Sequence, residues 1–367
     1  MSVWPIFPFL DAVTDSTRGN PKTPQSDYLA GGRYAVVDQG RKLIAGYTDD
    51  PELLYNGELP VILFGDHTRH LKYVDFPFSM GADGVKVLSP HSGWNPKFLY
   101  HYLSSLNIPS AGYSRHFKFL KEQVIPRPPM VVQRRVAEAL DRADALRVKR
   151  RRALAHLDDL TQSIFLDMFG DPAQNSKRLP LVPLDDLGEW KSGGTPPRSA
   201  SKYFKGQIPW FSSGELGDIY VSESNEKVSV EALTETSAKK VPRGAIMIGM
   251  YDTAALKTSI AAVDCSCNQA IAFASTDPRI AEPVYVYFAL RVGREHFRRL
   301  QRGVRQKNLN LSMVREMMIP HPHLSLQKEF GERVIAVEEQ RKRHRSGLAE
   351  LDALFASLQD RAFKGLL

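Results

Sequence analysis

Thiol chemistry is nearly absent from this sequence: its 367 residues carry two cysteines, Cys265 and Cys267, one residue apart in a short run that reads as a strand. Two are too few for a structural zinc site, and neighbours so placed are poorly disposed to bridge each other. Both are expected to pack as small apolar side chains in a reducing cytoplasm. Long hydrophobic runs are also missing; none approaches the ~20 residues needed to cross a bilayer, so no membrane association is expected. The apolar start, Met1 to Leu10, has no basic segment, is broken by Pro5 and Pro8 and offers no cleavage site, which argues against a signal peptide. No glycine-rich phosphate loop ending in Lys-Ser or Lys-Thr occurs, so an ATP-driven motor is not expected.

What is present is an ordinary globular composition, 43% hydrophobic and 25% charged, which leaves little room for disorder. The length suggests two domains with connecting structure. Net charge is +8, with the basic excess concentrated in the second half. A surplus of this size is compatible with nucleic acid but does not by itself identify it.

The chain repeats itself. Residues Ile125 to Gly170 align without a gap on Ile319 to Lys364, a constant step of 194. Identities include Ile125/Ile319, Pro126/Pro320, Pro128/Pro322, Gln133/Gln327, Leu154/Leu348, Leu157/Leu351, Asp158/Asp352, Leu160/Leu354, Ser163/Ser357 and Phe169/Phe363. Both copies read as helices: Pro128 and Pro129 suit a helix start, and Gly170 with Pro172 suits a stop. Val136, Leu140, Ala143, Leu154, Leu157, Ile164 and Met168 form a heptad seam in the first, and Phe330, Val334, Val337, Leu348, Leu351, Phe355, Leu358 and Ala362 repeat it. Each helix would be roughly 55 to 60 Å long, too long to be covered by one lobe. Packing the two against each other covers both, and a duplicated unit joined tail to head favours an antiparallel pair about a pseudo-twofold axis. Midway, the seams are interrupted by Lys149-Arg150-Arg151-Arg152 and by Arg341-Lys342-Arg343-His344-Arg345. These runs read either as a solvated helix face or as a contact for DNA phosphates or an acidic partner.

The segments before the helices correspond more faintly. At a step of 175, Asn20-Pro21 faces Thr195-Pro196, Ser26 faces Ser201, Tyr28 faces Tyr203 and Gly31 faces Gly206. Short β-branched runs at Arg33 to Asp38, Leu59 to Phe64, Gly84 to Leu88, Ala245 to Met250 and Ile260 to Val263 predict strands, and Lys97 to Leu106 and Val284 to Arg302 predict helices. The expected fold class is α+β, two lobes of mixed strands and helices separated by a long antiparallel two-helix coiled coil. The expected boundaries are residues 1–129 for the first lobe, 130–170 for the first helix, 171–322 for the second lobe and 323–367 for the second helix.

The run Lys191-Ser-Gly-Gly-Thr-Pro196, Tyr203, Gly206-Gln-Ile-Pro-Trp210, then Ile319-Pro-His-Pro with Gln327, resembles the target recognition domain and conserved helix of type I restriction-modification specificity subunits. In the first half Ser26-Asp-Tyr28, Tyr34 to Gly40, Ala45 to Asp49, Phe64 to Arg69 and Gly81 to Lys86 resemble the same family. The likeness covers nearly the whole chain in the order lobe, helix, lobe, helix. One departure is that the first lobe has Thr17-Arg-Gly-Asn-Pro21 where the second has Gly-Gly-Thr-Pro. The resemblance implies that each lobe reads one half of an asymmetric bipartite site in double-stranded DNA. It also implies that the helices set the gap and dock methyltransferase subunits, two being expected. Restriction and translocation subunits would join through the complex.

Arg291, Arg294, Arg298, Arg302 and Arg305 recur at steps of three or four, which on one helix makes a stripe of forked phosphate donors opposite Phe297, Leu300 and Val304. The following loop offers Gln306, Lys307, Asn308 and Asn310, types that read adenine edges or meet guanine and phosphate. Its counterpart in the first lobe is Tyr113 to Phe117, with Arg115, His116 and Lys118 nearby. Further candidates are Thr195, Arg198 and Lys202 in one lobe and His67, Arg69, His70 and Lys72 in the other. The same residue types also populate solvated helix faces and ordinary turns.

Catalytic motifs are incomplete. Asn95-Pro-Lys-Phe98 lacks the second proline of an amino-methyltransferase box and reads as a helix start. Asp185 and Glu189 with Lys191 are nuclease-like residue types, yet the carboxylates stand only four residues apart with no evident metal partner. No catalytic residue, cofactor or metal is expected, and cleavage and methylation are assigned to partners. The competing readings are a self-sufficient DNA methyltransferase or nuclease, and a scaffold for protein ligands.

Overall fold

The computed structural model describes residues 4–81, 84–110, 112, 114–300 and 308–366. It divides into two compact units, one running to Arg151 and resuming at Ser346, the other spanning Arg152–Arg345. Both combine short strands with helices, an α+β organisation, and each contains part of both long helices, Met130–Phe169 and Leu324–Phe363.

In the first unit one antiparallel sheet has the order Val13–Asp15, Val85–Pro90, Val61–Gly65, Leu71–Val74. Its strand Val61–Gly65 is buried at every position, which explains why its sequence is a continuous apolar run and not an alternation. A second sheet has the order Lys22–Thr23, Phe78–Gly81, Tyr34–Val37, Gly46–Thr48, with parallel pairing on both sides of Phe78–Gly81. A ribbon of Ile6–Pro8 with Val124–Pro126 ties the start of the lobe to the segment leading into the long helix. The helix Pro96–Ser105 starts where the sequence placed it. Asn95 caps it by accepting from the Phe98 N–H at 3.0 Å, and Pro96 occupies the first turn.

The second unit repeats this plan. Its first sheet runs Lys191–Ser192, Ile271–Ala274, Ile246–Gly249, Thr258–Ala261, with a fifth strand Tyr220–Val221 added at the edge. Its second runs Glu226–Val228, Ile208–Phe211, Cys265–Cys267, Lys240–Val241, and Ile208–Phe211 again has one antiparallel and one parallel neighbour. The two lobes differ at an edge: Lys22–Thr23 pairs parallel, whereas Lys240–Val241 pairs antiparallel. The ribbon recurs as Leu181–Pro183 with Met318–Pro320. Cys265 and Cys267 are free and fully buried on their strand.

Within each unit the long helices run antiparallel. In the first, Arg147 meets Asp352 while Arg150 lies beside Gly347. In the second, Asp158 meets Arg341 while Phe169 meets Phe330. The expected seam needs correction in its later part. Val136, Leu140 and Ala143 are buried as expected, but toward the end of the first helix Phe165 and Phe169 enter the core while Ile164 and Met168 are only half-buried. A straight helix drifts about 20° per heptad against a strict seven-residue repeat, so over four to five heptads the inward face moves by about one residue.

The expected helix Val284 to Arg302 is also corrected. The helix is Pro283–Val292, followed at Gly293 by separate short turns, Arg294–Phe297 and Arg298–Leu300. Glycine is a weak helix residue. Here it also lets the Phe297 ring fold back, because a Cβ on Gly293 would lie 2.6 Å from that ring.

Candidate nucleic-acid interface

The glycine motif of the second lobe is a close-approach device. A Cβ on Gly194 would stand 2.1 Å from the Ser237 carbonyl oxygen, and one on Gly193 would stand 2.4 Å from two carbonyls of the facing strand end. With these approaches permitted, Gly193 N–H donates to the Ile271 carbonyl and Gly194 N–H to that of Cys267. The Trp210 indole then donates to the Gly194 carbonyl at 3.1 Å, joining two motif segments that are separate in the chain.

Three candidates sit around this framework. Thr195 donates through its hydroxyl to the Gln269 side-chain carbonyl. Arg198 forms a two-pronged ion pair with Glu226, with Nη2 at 2.9 Å, and stacks over Phe204 and Trp210. Lys202 pairs with Glu235 at 2.6 Å over the Tyr203 ring. The bond to Glu226 raises the proton affinity of Arg198, and the bond from Lys202 holds Glu235 below the usual carboxylate range. Exposed pairs of this kind open at little cost, so these cations can exchange a carboxylate for a phosphate.

The arginine row does not lie on one helix. Arg291 lies in the last turn of the helix Pro283–Val292, donates to the Tyr287 hydroxyl at 3.1 Å and lines a small cleft with Asp158, Thr161, Gln162 and Arg341. Arg294, beyond Gly293, donates to the carbonyls of Thr253 and Ala255. Arg298 pairs with Glu295 at 3.6 Å. Arg302, Arg305, Gln306 and Lys307 lie outside the described residues. Asn310 caps the helix Leu311–Arg315 by accepting from the Met313 N–H at 2.9 Å, and Asn308 is half-buried beside buried Leu309.

In the first lobe two candidates belong to the interior. Lys72 is 5% exposed; its ammonium donates to the Asp38 carbonyl at 2.7 Å and approaches the Asp38 carboxylate and the Leu43 carbonyl. His116 is buried, with Nδ1 2.9 Å from the Asp66 carbonyl. Neither is presented to a duplex in this conformation. Arg69 and His70 are exposed, Arg69 in a left-handed conformation that lets its guanidinium reach the Ile108 carbonyl. Burial, and then the charges of Arg41, Lys72 and Arg69, lower the proton affinity of His70. This positive field includes Arg41, which sequence reasoning missed although Gln39-Gly40-Arg41-Lys42 lies just beyond the strand Tyr34–Val37. His67 is half-buried, Arg115 and Lys118 are exposed, and Tyr113 lies outside the described residues.

The residues weighed for catalysis are otherwise engaged. Lys191 pairs with Glu189, Asp185 lies 3.5 Å from Arg315, and buried Trp190 donates to the Leu184 carbonyl. Among the described residues no group of three or more His, Cys, Asp or Glu is placed to hold a metal ion. No helix there is long and apolar enough to cross a membrane.

Residues 180–349 match the type I restriction modification DNA specificity domain family. Over 229 residues, 58% of this chain, the sequence is 26% identical to the type I restriction enzyme EcoR124I/EcoR124II specificity subunit of Escherichia coli. Over 154 residues, 40% of this chain, it is 26% identical to the type I restriction enzyme MjaIX specificity subunit of Methanocaldococcus jannaschii. Its second lobe and the start of its second long helix are similar to the type I specificity domain, and both relatives are type I specificity subunits. These two matches span 55% and 35% of the relatives' own lengths. The fold is shared more widely. The type I restriction-modification S subunit from M. genitalium superposes with a TM-score of 0.65 at 15% identity, covering 98% of this chain and 96% of that one. A chain from a structural study of complex assembly and conformational transition of the type I R-M system superposes with a TM-score of 0.55 at 17% identity, covering 99% of this chain and 98% of that one. The Gly193–Gly194 and Trp210 framework falls inside the stretch that matches the specificity-domain family.

Proposed function

We propose that this chain is the non-catalytic DNA-specificity subunit of a cytoplasmic type I restriction-modification complex. Each lobe reads one half of an asymmetric bipartite duplex site, and the long helices fix the gap and dock two methyltransferase subunits. Restriction subunits join through that complex. The observation that carries the reading is the duplicated lobe-and-helix plan, whose second copy contains the specificity-domain match. We assign residues 1–129 and 171–322 to the reading lobes, and 130–170 and 323–367 to the helices. Arg198, Lys202 and Thr195 in one lobe, and Arg69, His70, Arg115 and Lys118 in the other, are the exposed or half-buried side chains proposed to face DNA. Arg291, Arg294 and Arg298, with Arg302, Arg305 and the Gln306 to Asn310 loop, form a second tier, since the first three are engaged within the lobe.

Mapping methylated adenines in the host genome with and without the gene tests this reading. Loss of methylation at one two-part motif is expected on deletion. An unchanged methylation map, or methyl transfer by the purified chain alone, would overturn it.

A further inference from the structure

The repeat carries Arg147 onto Arg341, Asp144 onto Glu338 and Asp158 onto Asp352. The structure joins these residues in the same way twice. In the first unit Arg147 bonds Asp144 on its own helix at 2.8 Å and Asp352 on the facing helix at 2.5 Å. In the second, Arg341 bonds Glu338 at 2.5 Å and Asp158 at 2.8 Å. Both guanidiniums are largely enclosed, with side chains 18% and 12% exposed, and Arg147 also lies 4.2 Å from the Phe355 ring centroid.

We propose that these two clamps, Arg147 with Asp352 and Arg341 with Asp158, set the antiparallel register of the long helices. The apolar contacts nearby are weakly selective: Leu154, Leu157, Leu348 and Leu351 are only half-buried, and Leu160 and Leu354 are about half exposed. The facing carboxylates are 41% and 49% exposed, so each pair contributes little net stability, but an arrangement that takes the partner away from an enclosed guanidinium is penalised. The basic runs gain a role in this arrangement. A slip of one heptad in one sense would set Arg147 against Arg345 and Arg341 against Arg151; in the other, the two arginines would face Gln359 and Phe165. One slip costs like-charge repulsion, and the other leaves each largely enclosed guanidinium with only the carboxylate of its own helix.

The register claim needs no DNA. Its consequence, a fixed separation of half-sites, rests on the function proposed above. Spin labels on Arg142→Cys with Ser357→Cys in the first unit, and on Ser163→Cys with Ala336→Cys in the second, read register within each unit; all four positions are exposed. Native Cys265 and Cys267 are buried and leave the background clean. One sharp distance is expected for each labelled pair in the otherwise unaltered full chain. Arg147→Asp is expected to add a population displaced by about 10 Å, one heptad at ~1.5 Å per residue. Adding Asp352→Arg should restore the single distance. Where a reversal unfolds the chain, the apolar pair Arg147→Met with Asp352→Leu decides. Slipped populations in that variant support the clamp; a single unmoved distance in it, or in the folded charge-reversed chain, overturns it.

Discussion

Gln133 accepts a hydrogen bond from the backbone N–H of Asn95 at 2.7 Å, joining the first turn of a long helix to the cap of a lobe helix. Its amide also donates to the carbonyls of Pro128 and Gly93. The repeat partner, Gln327, accepts from the N–H of Glu282, the cap of Pro283–Val292, and donates to the Pro322 carbonyl. Both glutamines are essentially inaccessible to water. Replacing either with leucine keeps the volume and orphans a buried N–H, a loss of roughly 1–3 kcal/mol. Gln133→Leu and Gln327→Leu should each lower the denaturant midpoint with an unchanged slope; an unaltered midpoint would show that the pair of contacts is dispensable.

The two thiols give a pH-dependent expectation. Burial, and then the charge of Asp264, push Cys265 from 9.0 up to about 12, and burial raises Cys267 further. Folding therefore favours the neutral thiols. Their contribution to stability is full below 9.0 and is lost as pH rises toward the folded values. A disulfide reagent at mildly alkaline pH should modify neither cysteine in the native chain and both in denaturant. Rapid native labelling at either position would contradict this packing.

Much of the plan was legible because it is written twice. The gapless repeat revealed the helices, and the cap at Asn95 and the buried run Val61–Gly65 are local signals that tertiary packing did not override. The arginine row misled for a definable reason. A spacing of three or four matches a helix wherever it occurs, while Gly293, a single weak residue, ends the helix at Val292 and turns Arg294 toward the Thr253 and Ala255 carbonyls. Lys72 misled differently: nothing local shows that the Asp38 and Leu43 carbonyls, far away in sequence, close over its ammonium.

Arg198 is the clearest cation for a test of DNA contact. It is held in the open by Glu226 on one side and by the rings of Phe204 and Trp210 on the other. If it exchanges Glu226 for a phosphate, Arg198→Ala should weaken duplex binding about equally for all sequences and reduce the logarithmic salt slope by about 1. Glu226→Gln, which removes the competing carboxylate, should tighten binding. A salt slope unchanged by Arg198→Ala would place the contact elsewhere.

The faint correspondence between lobes hides a physical asymmetry that substitution should expose. Gly31 and Gly206 are partners in the sequence alignment, yet a Cβ on Gly31 would meet nothing within 4 Å, while one on Gly206 would stand 2.0 Å from the Val228 carbonyl oxygen. The obstacle at Gly206 is backbone at the end of strand Glu226–Val228, so it cannot yield as a side-chain tip would. Gly206→Ala should therefore displace Ile208–Phe211 from its neighbour and cost on the order of 1–3 kcal/mol. Gly31→Ala, whose φ is not positive, should be neutral or slightly stabilising because it restricts the unfolded chain. Thermal unfolding of the two variants side by side makes the comparison, and equal midpoints would mean that the close approach at Gly206 is not maintained in solution.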